Sequence, residues 1–270
     1  MLKQLTLHNF TVFKEAHLTF SPGLNVIIGE NGTGKTHLLK LAYLFSNGWR
    51  DLIKGQHLVT VDKIEQYFSE RLRAIFKPDK IGSLTATGSD GKSRVAATTF
   101  GSLSFPAMNA ANATIIDETT WQLSFSNRSQ DHVVPERVVI EDLQELLSKN
   151  ALYGNGLYLP SKEMVSFFEG FLAAYEKREL QFDETYKDLA LHLSASKLKE
   201  PPAFIQQELK ALTADMGGTL KLAGGKFYLM ASKSKPKEIT LVAEGIRKIA
   251  TLLYLLENGS LAVGDTLYWD

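Results

Sequence analysis

The chain opens with interleaved apolar and polar positions. Leu2–Phe10 alternates with a period near two, and Ala16–Phe20 does so again, which predicts two half-buried strands. Leu24–Ile28 is an apolar run, the pattern of a fully buried strand, and Pro22-Gly23 punctuates the turn before it. The period then changes. Leu38, Leu39, Ala42 and Phe45 recur at helical spacing within Lys35–Phe45, and Asp62–Phe76 also reads as a helix. From about Ile81 to Ile140, Ser, Thr, Gly and β-branched residues dominate, as in Leu84-Thr85-Ala86-Thr87 and Trp121-Gln122-Leu123-Ser124-Phe125. Asp90-Gly91 is a turn signal, so an antiparallel sheet is expected there.

Gly156-Leu157-Tyr158-Leu159 reads as another buried strand, closed by Pro160. Glu163 to roughly Asp215 is mostly helical, broken near Glu200-Pro201-Pro202. A hairpin follows, Gly218–Leu222 with Lys226–Met230, turned by Gly224-Gly225. Lys233–Lys237 is a basic connection, Glu244–Leu256 the last helix and Thr266–Trp269 the last strand. No internal repeat, low-complexity tract or long linker interrupts this order.

Between the third strand and the first helix lies Gly29-Glu30-Asn31-Gly32-Thr33-Gly34-Lys35-Thr36, a match to G-x-x-x-x-G-K-[ST]. The glycines let several backbone N–H groups turn toward one anion, and the helix beginning near Lys35 adds its positive end. Lys35 supplies a point charge for the β- and γ-phosphates, and Thr36 a hydroxyl for Mg²⁺. The expected ligands are therefore ATP and Mg²⁺.

The surroundings of this loop resemble a particular group. Leu5-Thr6-Leu7-His8-Asn9-Phe10, followed by Leu24-Asn25-Val26-Ile27-Ile28 running into Gly-Glu-Asn-Gly-Thr-Gly-Lys, resembles the start of ABC-type ATPases of the RecF, SMC and overcoming-lysogenization-defect group. The far end is similar too. Leu241-Val242-Ala243-Glu244-Gly245-Ile246-Arg247-Lys248 leads into an apolar helix, a Gly-containing turn and Thr266-Leu267-Tyr268-Trp269-Asp270, the order of a signature motif, its helix and a Walker B strand.

The resemblance implies an α/β P-loop NTPase fold: an ABC-ATPase-like head with a mixed sheet, an antiparallel β subdomain and a helical lobe. It divides the chain into residues 1–160, a nucleotide-binding lobe with an antiparallel β insertion; 161–240, a helical lobe with a hairpin; and 241–270, the signature-like helix and Walker B strand. It implies that Asp270 joins Thr36 in the Mg²⁺ shell. It also implies that Ala243, Glu244, Gly245 and Arg247 open a helix facing the γ-phosphate held by a second subunit, with Ala243-Glu244 standing where the group carries a serine. Phe13, in the loop between the first strands, is the candidate for packing on adenine, with a plain core or surface role as the alternative. Ser161 and Glu163 are candidates for the position where the group has a Q-loop glutamine.

In the group a catalytic glutamate follows the Walker B aspartate. The sequence given ends at Asp270, so this chain is expected to bind ATP and hydrolyse it poorly, within a parent that is an ATPase and an ATP-dependent homodimer. Two readings of the parent remain open. One is an ATP-gated scaffold or sensor in anti-phage defence that holds a separate effector protein; the other is a RecF- or SMC-like DNA repair ATPase acting on nucleic acid.

Composition adjusts this only slightly. The 270 residues suit one large α/β domain or two lobes sharing a core. Formal net charge is zero, so the chain as a whole carries no electrostatic footprint for nucleic acid or an acidic membrane, which leans toward the scaffold. The absence of cysteine excludes disulfides and thiolate metal sites. The histidines lack metal-ligand spacing, and His37 reads as a residue behind the loop or at the surface. The start reads as a strand rather than a signal peptide, and the apolar helix is too short to span a bilayer, so a cytoplasmic location is expected.

Overall fold

The computed structural model describes residues 2–53, 59–103, 114–137, 155–178, 180–200, 205–231 and 235–270. They form two units, residues 1–157 with 263–268, and residues 158–262 with 269–270.

In the first unit, β1 (Leu2–Phe10), β2 (Phe13–Thr19), β3 (Lys92–Leu103), β4 (Thr114–Ser126) and β5 (Val134–Arg137) make one antiparallel sheet in the order β2-β1-β3-β4-β5. The expected antiparallel region is part of this sheet. It continues the sheet begun by β1, because β3 pairs with β1 through Leu5↔Ala97 and Leu7↔Val95. The register carries one apolar row across the sheet, Leu7, Val95 and Leu123 beside Leu5, Ala97 and Trp121, all buried. This is the period-two pattern turned into one core face.

Helices α1 (Lys35–Ile53) and α2 (Val61–Phe76) contribute the other side of that core. Leu41, Leu44 and Phe45 of α1 and Ile64, Phe68 and Leu72 of α2 are almost fully buried. Phe68 touches both Phe45 and Trp121, each with ring centroids 5.2 Å apart. Thr60 caps α2, accepting from the Lys63 N–H, and Asp62 sits in its positive first turn. Of Leu84–Thr87, only Thr85 pairs, in an isolated bridge to Phe10, while Ile81–Leu84 winds into a 3₁₀ turn.

Leu24–Ile28 departs from expectation. It is extended but forms no strand, and Leu24, Val26 and Ile28 are 86%, 72% and 88% exposed. Its entrance is held locally instead. Asn25 Oδ1 accepts from the Ser21 N–H and hydroxyl, and Asn25 Nδ2 donates to the Ser21 carbonyl. An apolar run states a preference for burial but does not supply the neighbouring strand, and no ladder partner stands beside it among the described residues.

The second unit is built of short helices around an aromatic cluster. These are α3 (Phe171–Glu176), α4 (Glu184–Leu193) and α5 (Gln206–Met216), then β7 (Thr219–Ala223), β8 (Lys226–Met230), β9 (Lys237–Glu238) and α6 (Glu244–Glu257). The break at Pro201-Pro202 and the first two residues of the basic stretch Lys233–Lys237 fall outside the described residues. Phe182 stacks on Phe167 at 5.3 Å and packs on Tyr186 at 4.7 Å. Gly224 and Gly225, with φ of 59° and 81°, turn β7 into β8 as the paired glycines predict. On α6 the fully buried residues are Ala250, Thr251, Leu253, Tyr254 and Leu255, whereas Ile249, Leu252 and Leu256 are only partly covered.

Strands β6 (Gly156–Leu159) and β10 (Thr266–Trp269) pair with each other. Thr266 N–H donates to Asn155 O and Asp270 N–H to Leu159 O, a constant offset that makes the pair parallel. All four residues of β6 are buried, as its apolar run implied. Among the described residues, no helix is long and apolar enough to cross a membrane.

Candidate functional site

The loop Gly29–Thr36 joins the exposed 24–28 segment to the start of α1. Gly32 and Gly34 adopt φ of 82° and 91°, values that side chains resist, which is why glycine occupies both. Gly34 has a second reason. A Cβ there would lie 2.6 Å from Phe13 Cε2 and 2.7 Å from Val12 Cγ2. The turn after β1 is thus laid directly on the loop.

That turn is itself held by a polar cluster. Asn9 and Thr11 take φ of 51° and 50°. Asn9 Nδ2 donates to Asp90 Oδ1 at 3.0 Å and to Lys92 O at 3.1 Å, and the Asn9 carbonyl accepts from the Ala86 N–H and the Ser93 hydroxyl. Phe10 beside it is fully buried between Phe76 and Phe125. So the Asn-Phe pair fixes where Val12 and Phe13 meet Gly34. The sequence marked Asn-Phe only as a resemblance, and its anchoring partner Asp90 could be seen only once β3 was placed.

Within the loop, Lys35 Nζ donates to the carbonyls of Gly29 at 2.8 Å and Glu30 at 2.7 Å, and Thr33 Oγ1 donates to Glu30 O at 2.8 Å. Leu38 N–H to Gly34 O, at 3.0 Å, is the first helical bond of α1, so the N–H groups of Lys35, Thr36 and His37 lie ahead of the helical ladder. Glycines at positive φ, a helix start and a lysine drawn across the loop fit a phosphate chain. Glu30, Asn31 and Thr33 are exposed on the rim. His37, half-buried with its ring on Phe76, is held below its ordinary pKa by burial and then by Lys40.

Phe13 is half-buried with its ring edge against Gly34. Thr36 belongs to the first unit and Asp270 to the second. Each side chain is a hard oxygen donor of the type that Mg²⁺ takes. Asp270 adjoins a residue that sequence reading passed over. Burial first, and then the Asp270 carboxylate, push the Tyr158 hydroxyl well above its ordinary pKa and keep it protonated. Tyr158 looked like one more apolar position of β6, and only the β6–β10 pairing makes it a neighbour of Asp270.

In the second unit, Ala243, Glu244 and Gly245 at the start of α6 are exposed, and a Cβ on Gly245 would meet nothing within 4 Å. No side chain caps this end. Glu244 faces Lys248 at 3.8 Å. Arg247 points elsewhere, to Glu163, with Nε 3.2 Å from Oε1. Ser161 is exposed, while the Glu163 side chain is only 7% exposed.

The chain is 39% identical over 70 residues to the DNA replication and repair protein RecF of Streptococcus equi subsp. zooepidemicus (strain MGCS10565), covering 26% of this chain and 17% of that protein. It is 46% identical over 46 residues to RecF of Limosilactobacillus fermentum, covering 17% of this chain and 12% of that protein. The matches thus span less than a fifth of these relatives' length. Among solved structures, an SMC head bound to the C-winged helix domain of ScpA aligns with TM-score 0.47 and 15% identity, over 94% of this chain and 74% of that one. A family model described as an AAA ATPase domain matches residues 1–200, and with most of its length inside that match the chain belongs to the AAA ATPase domain family.

Proposed function

We propose that this chain is the ATP-binding head of a larger DNA-maintenance ATPase of the RecF type. The observation that carries the reading is the built loop: Gly32 and Gly34 at positive φ, Val12 and Phe13 seated on Gly34, and Lys35 across the Gly29 and Glu30 carbonyls at the start of α1. In this reading Lys35 exchanges those carbonyls for the β- and γ-phosphates, and the N–H groups at the helix start hold the same anion. Thr36 would offer its hydroxyl to Mg²⁺, Asp270 is the candidate carboxylate for the ion, and the ion would neutralise charge on the phosphates. Tyr158, kept protonated, lies near the Asp270 carboxylate. Phe13 presents the ring face left by its contact with Gly34 to the base.

The exposed, uncapped start of α6 supports the second half of the proposal, in which Ala243, Glu244 and Gly245 meet the γ-phosphate bound by another copy. Its N–H groups and helix dipole take the place of a serine hydroxyl, and Glu244, drawn to Lys248, is turned aside. Hydrolysis by the chain alone is slow in this account, because Glu163, a candidate for the Q-loop position, is committed to Arg247.

Partial identity to RecF favours nucleic acid as the parent's partner over the defence scaffold toward which neutral charge leaned. The test is the ATPase rate of the full-length protein with and without DNA across a salt series. DNA stimulation that falls steeply with salt is expected. A rate indifferent to DNA at low salt would refute the nucleic-acid reading and leave the loop assignment standing.

A further inference from the structure

Among the groups the proposed mechanism does not use, the pair Glu163–Arg247 stands out. Glu163 leaves the end of β6 four residues after Leu159. Arg247 lies in the first turn of α6, where its N–H donates to the Ala243 carbonyl at 3.1 Å. The Thr251 hydroxyl donates to the Arg247 carbonyl at 2.9 Å, tying this turn to the next. The two charged side chains are 7% and 19% exposed. Glu163 Oε2 also accepts the Ser166 N–H at 3.2 Å, which fixes the carboxylate from its own side. The cavity of about 10 Å³ beside Glu163, bounded by Lys248, Thr251 and Trp269 among others, is no larger than one water.

We propose that Glu163 is a positioning residue for the signature-like turn: through Arg247 it sets the direction in which Ala243, Glu244 and Gly245 face a second copy. Three observations distinguish this from a role on the nucleotide. The carboxylate is nearly closed to solvent. Both of its oxygens have partners in its own unit. The arginine it meets lies on the same helical turn that presents the exposed residues, and Glu244 leaves that arginine alone by facing Lys248. Arg247 Nε is not aligned for a hydrogen bond to the carboxylate, so the contact through it is an ion pair. Neutralising either member while keeping its shape should loosen α6 at its start without touching the P-loop.

The inference rests on the proposed trans role of α6, and its test separates the two. Glu163→Gln, Arg247→Gln and the double variant are made in the full-length protein. Hydrogen exchange of residues 244–248 is measured without nucleotide, and ATP affinity and ATP-induced self-association are measured alongside. Each single variant is expected to speed exchange in the first turn of α6 and weaken self-association by about tenfold or more, with ATP affinity within about twofold. The double variant is expected to be no worse than the poorer single, because both act through one contact. Glu163→Asp, which keeps the charge, is expected to restore most of the self-association. Additive singles, unchanged exchange, or a loss of ATP affinity in Glu163→Gln would overturn the inference. If the unmodified protein does not self-associate with ATP, the trans role fails, and the exchange data alone still decide whether Glu163 positions the turn.

Discussion

The P-loop and the start of α6 are both helix N-termini, yet they are built in opposite ways. At α1 the chain shapes its backbone: glycines at φ of 82° and 91°, a lysine on two carbonyls, and an aromatic turn that excludes any Cβ at Gly34. At α6 the exposed residues touch almost nothing, and a Cβ at Gly245 would meet open space. Order there comes from the side chains behind, chiefly Arg247 on Glu163. Under the proposed function, the site that grips a phosphate chain within one copy is formed in advance, and the surface that meets another copy is held only from the rear. The same amino acid stands in different surroundings in each place: neighbours exclude a side chain at Gly34, and nothing lies within 4 Å of a Cβ at Gly245.

The largest test of this contrast is Lys35→Ala. Lys35 makes two hydrogen bonds within the loop, but it is not a core residue, so stability should change by no more than about 1 kcal/mol. ATP affinity should fall by about a hundredfold or more, since a buried charge-assisted contact to the phosphates is lost. Calorimetric titration with MgATP, together with a thermal melt, measures both. An affinity left intact would remove the phosphate role from the loop. A collapsed fold would mean that Lys35 is a structural member, and the contrast with α6 would lose its basis.

How much of this difference was legible in the sequence depends on how local each feature is. The loop was readable because its chemistry is contiguous: residues 29–36 carry the glycines, the lysine and the hydroxyl together. Strands β1, β6 and β10 and the β7–β8 hairpin were readable from alternation, apolar runs and paired glycines for the same reason. What failed was anything set by a distant partner. Leu24–Ile28 has the composition of a buried strand, but burial requires neighbours, and Asn25 satisfies local groups of Ser21 instead. Glu163 read as a candidate for the Q-loop position, and nothing in sequence links it to Arg247, 84 positions away. Tyr158 beside Asp270 was hidden likewise.

A middle-sized effect is expected from Gly245→Arg. With nothing within 4 Å of the added Cβ, and φ outside the left-handed region, the substitution should alter stability by about 0.5 kcal/mol or less. Binding of ATP to the isolated P-loop should be unchanged. Self-association of the full-length protein with a non-hydrolysable ATP analogue should be lost in sedimentation, because an arginine cannot fit between that turn and a trans phosphate. An intact ATP-induced dimer would show that α6 opens on solvent and not on a partner, which would end the comparison between two phosphate-facing helix starts.

The smallest effect concerns His37, just past Thr36, and sharpens the claim that the P-loop end is preformed. Its ring packs on Phe76 with centroids 5.6 Å apart, and its Nδ1 is buried without a hydrogen-bond partner among the described residues. Burial and then Lys40 hold its pKa below the ordinary 6.5, so the folded chain keeps it neutral where the unfolded chain would begin to protonate. Above about pH 6.5 both states are neutral and the residue contributes no slope. As pH falls below 6.5 the unfolded state binds the extra proton, so stability declines until His37 is protonated in the folded state as well. The loss is expected to stay under about 1 kcal/mol, since the side chain is only half-buried and partly screened. Melting curves from pH 7.5 to 5.5 for the protein and for His37→Gln measure it, the carboxylates being common to both. The variant should show the shallower decline. Bound MgATP should flatten the slope of the unmodified protein, because phosphate charge near the start of α1 favours the protonated ring and opposes Lys40. If the two proteins decline in parallel and nucleotide leaves the slope unchanged, His37 is insulated from the loop, and the preformed site ends at Thr36.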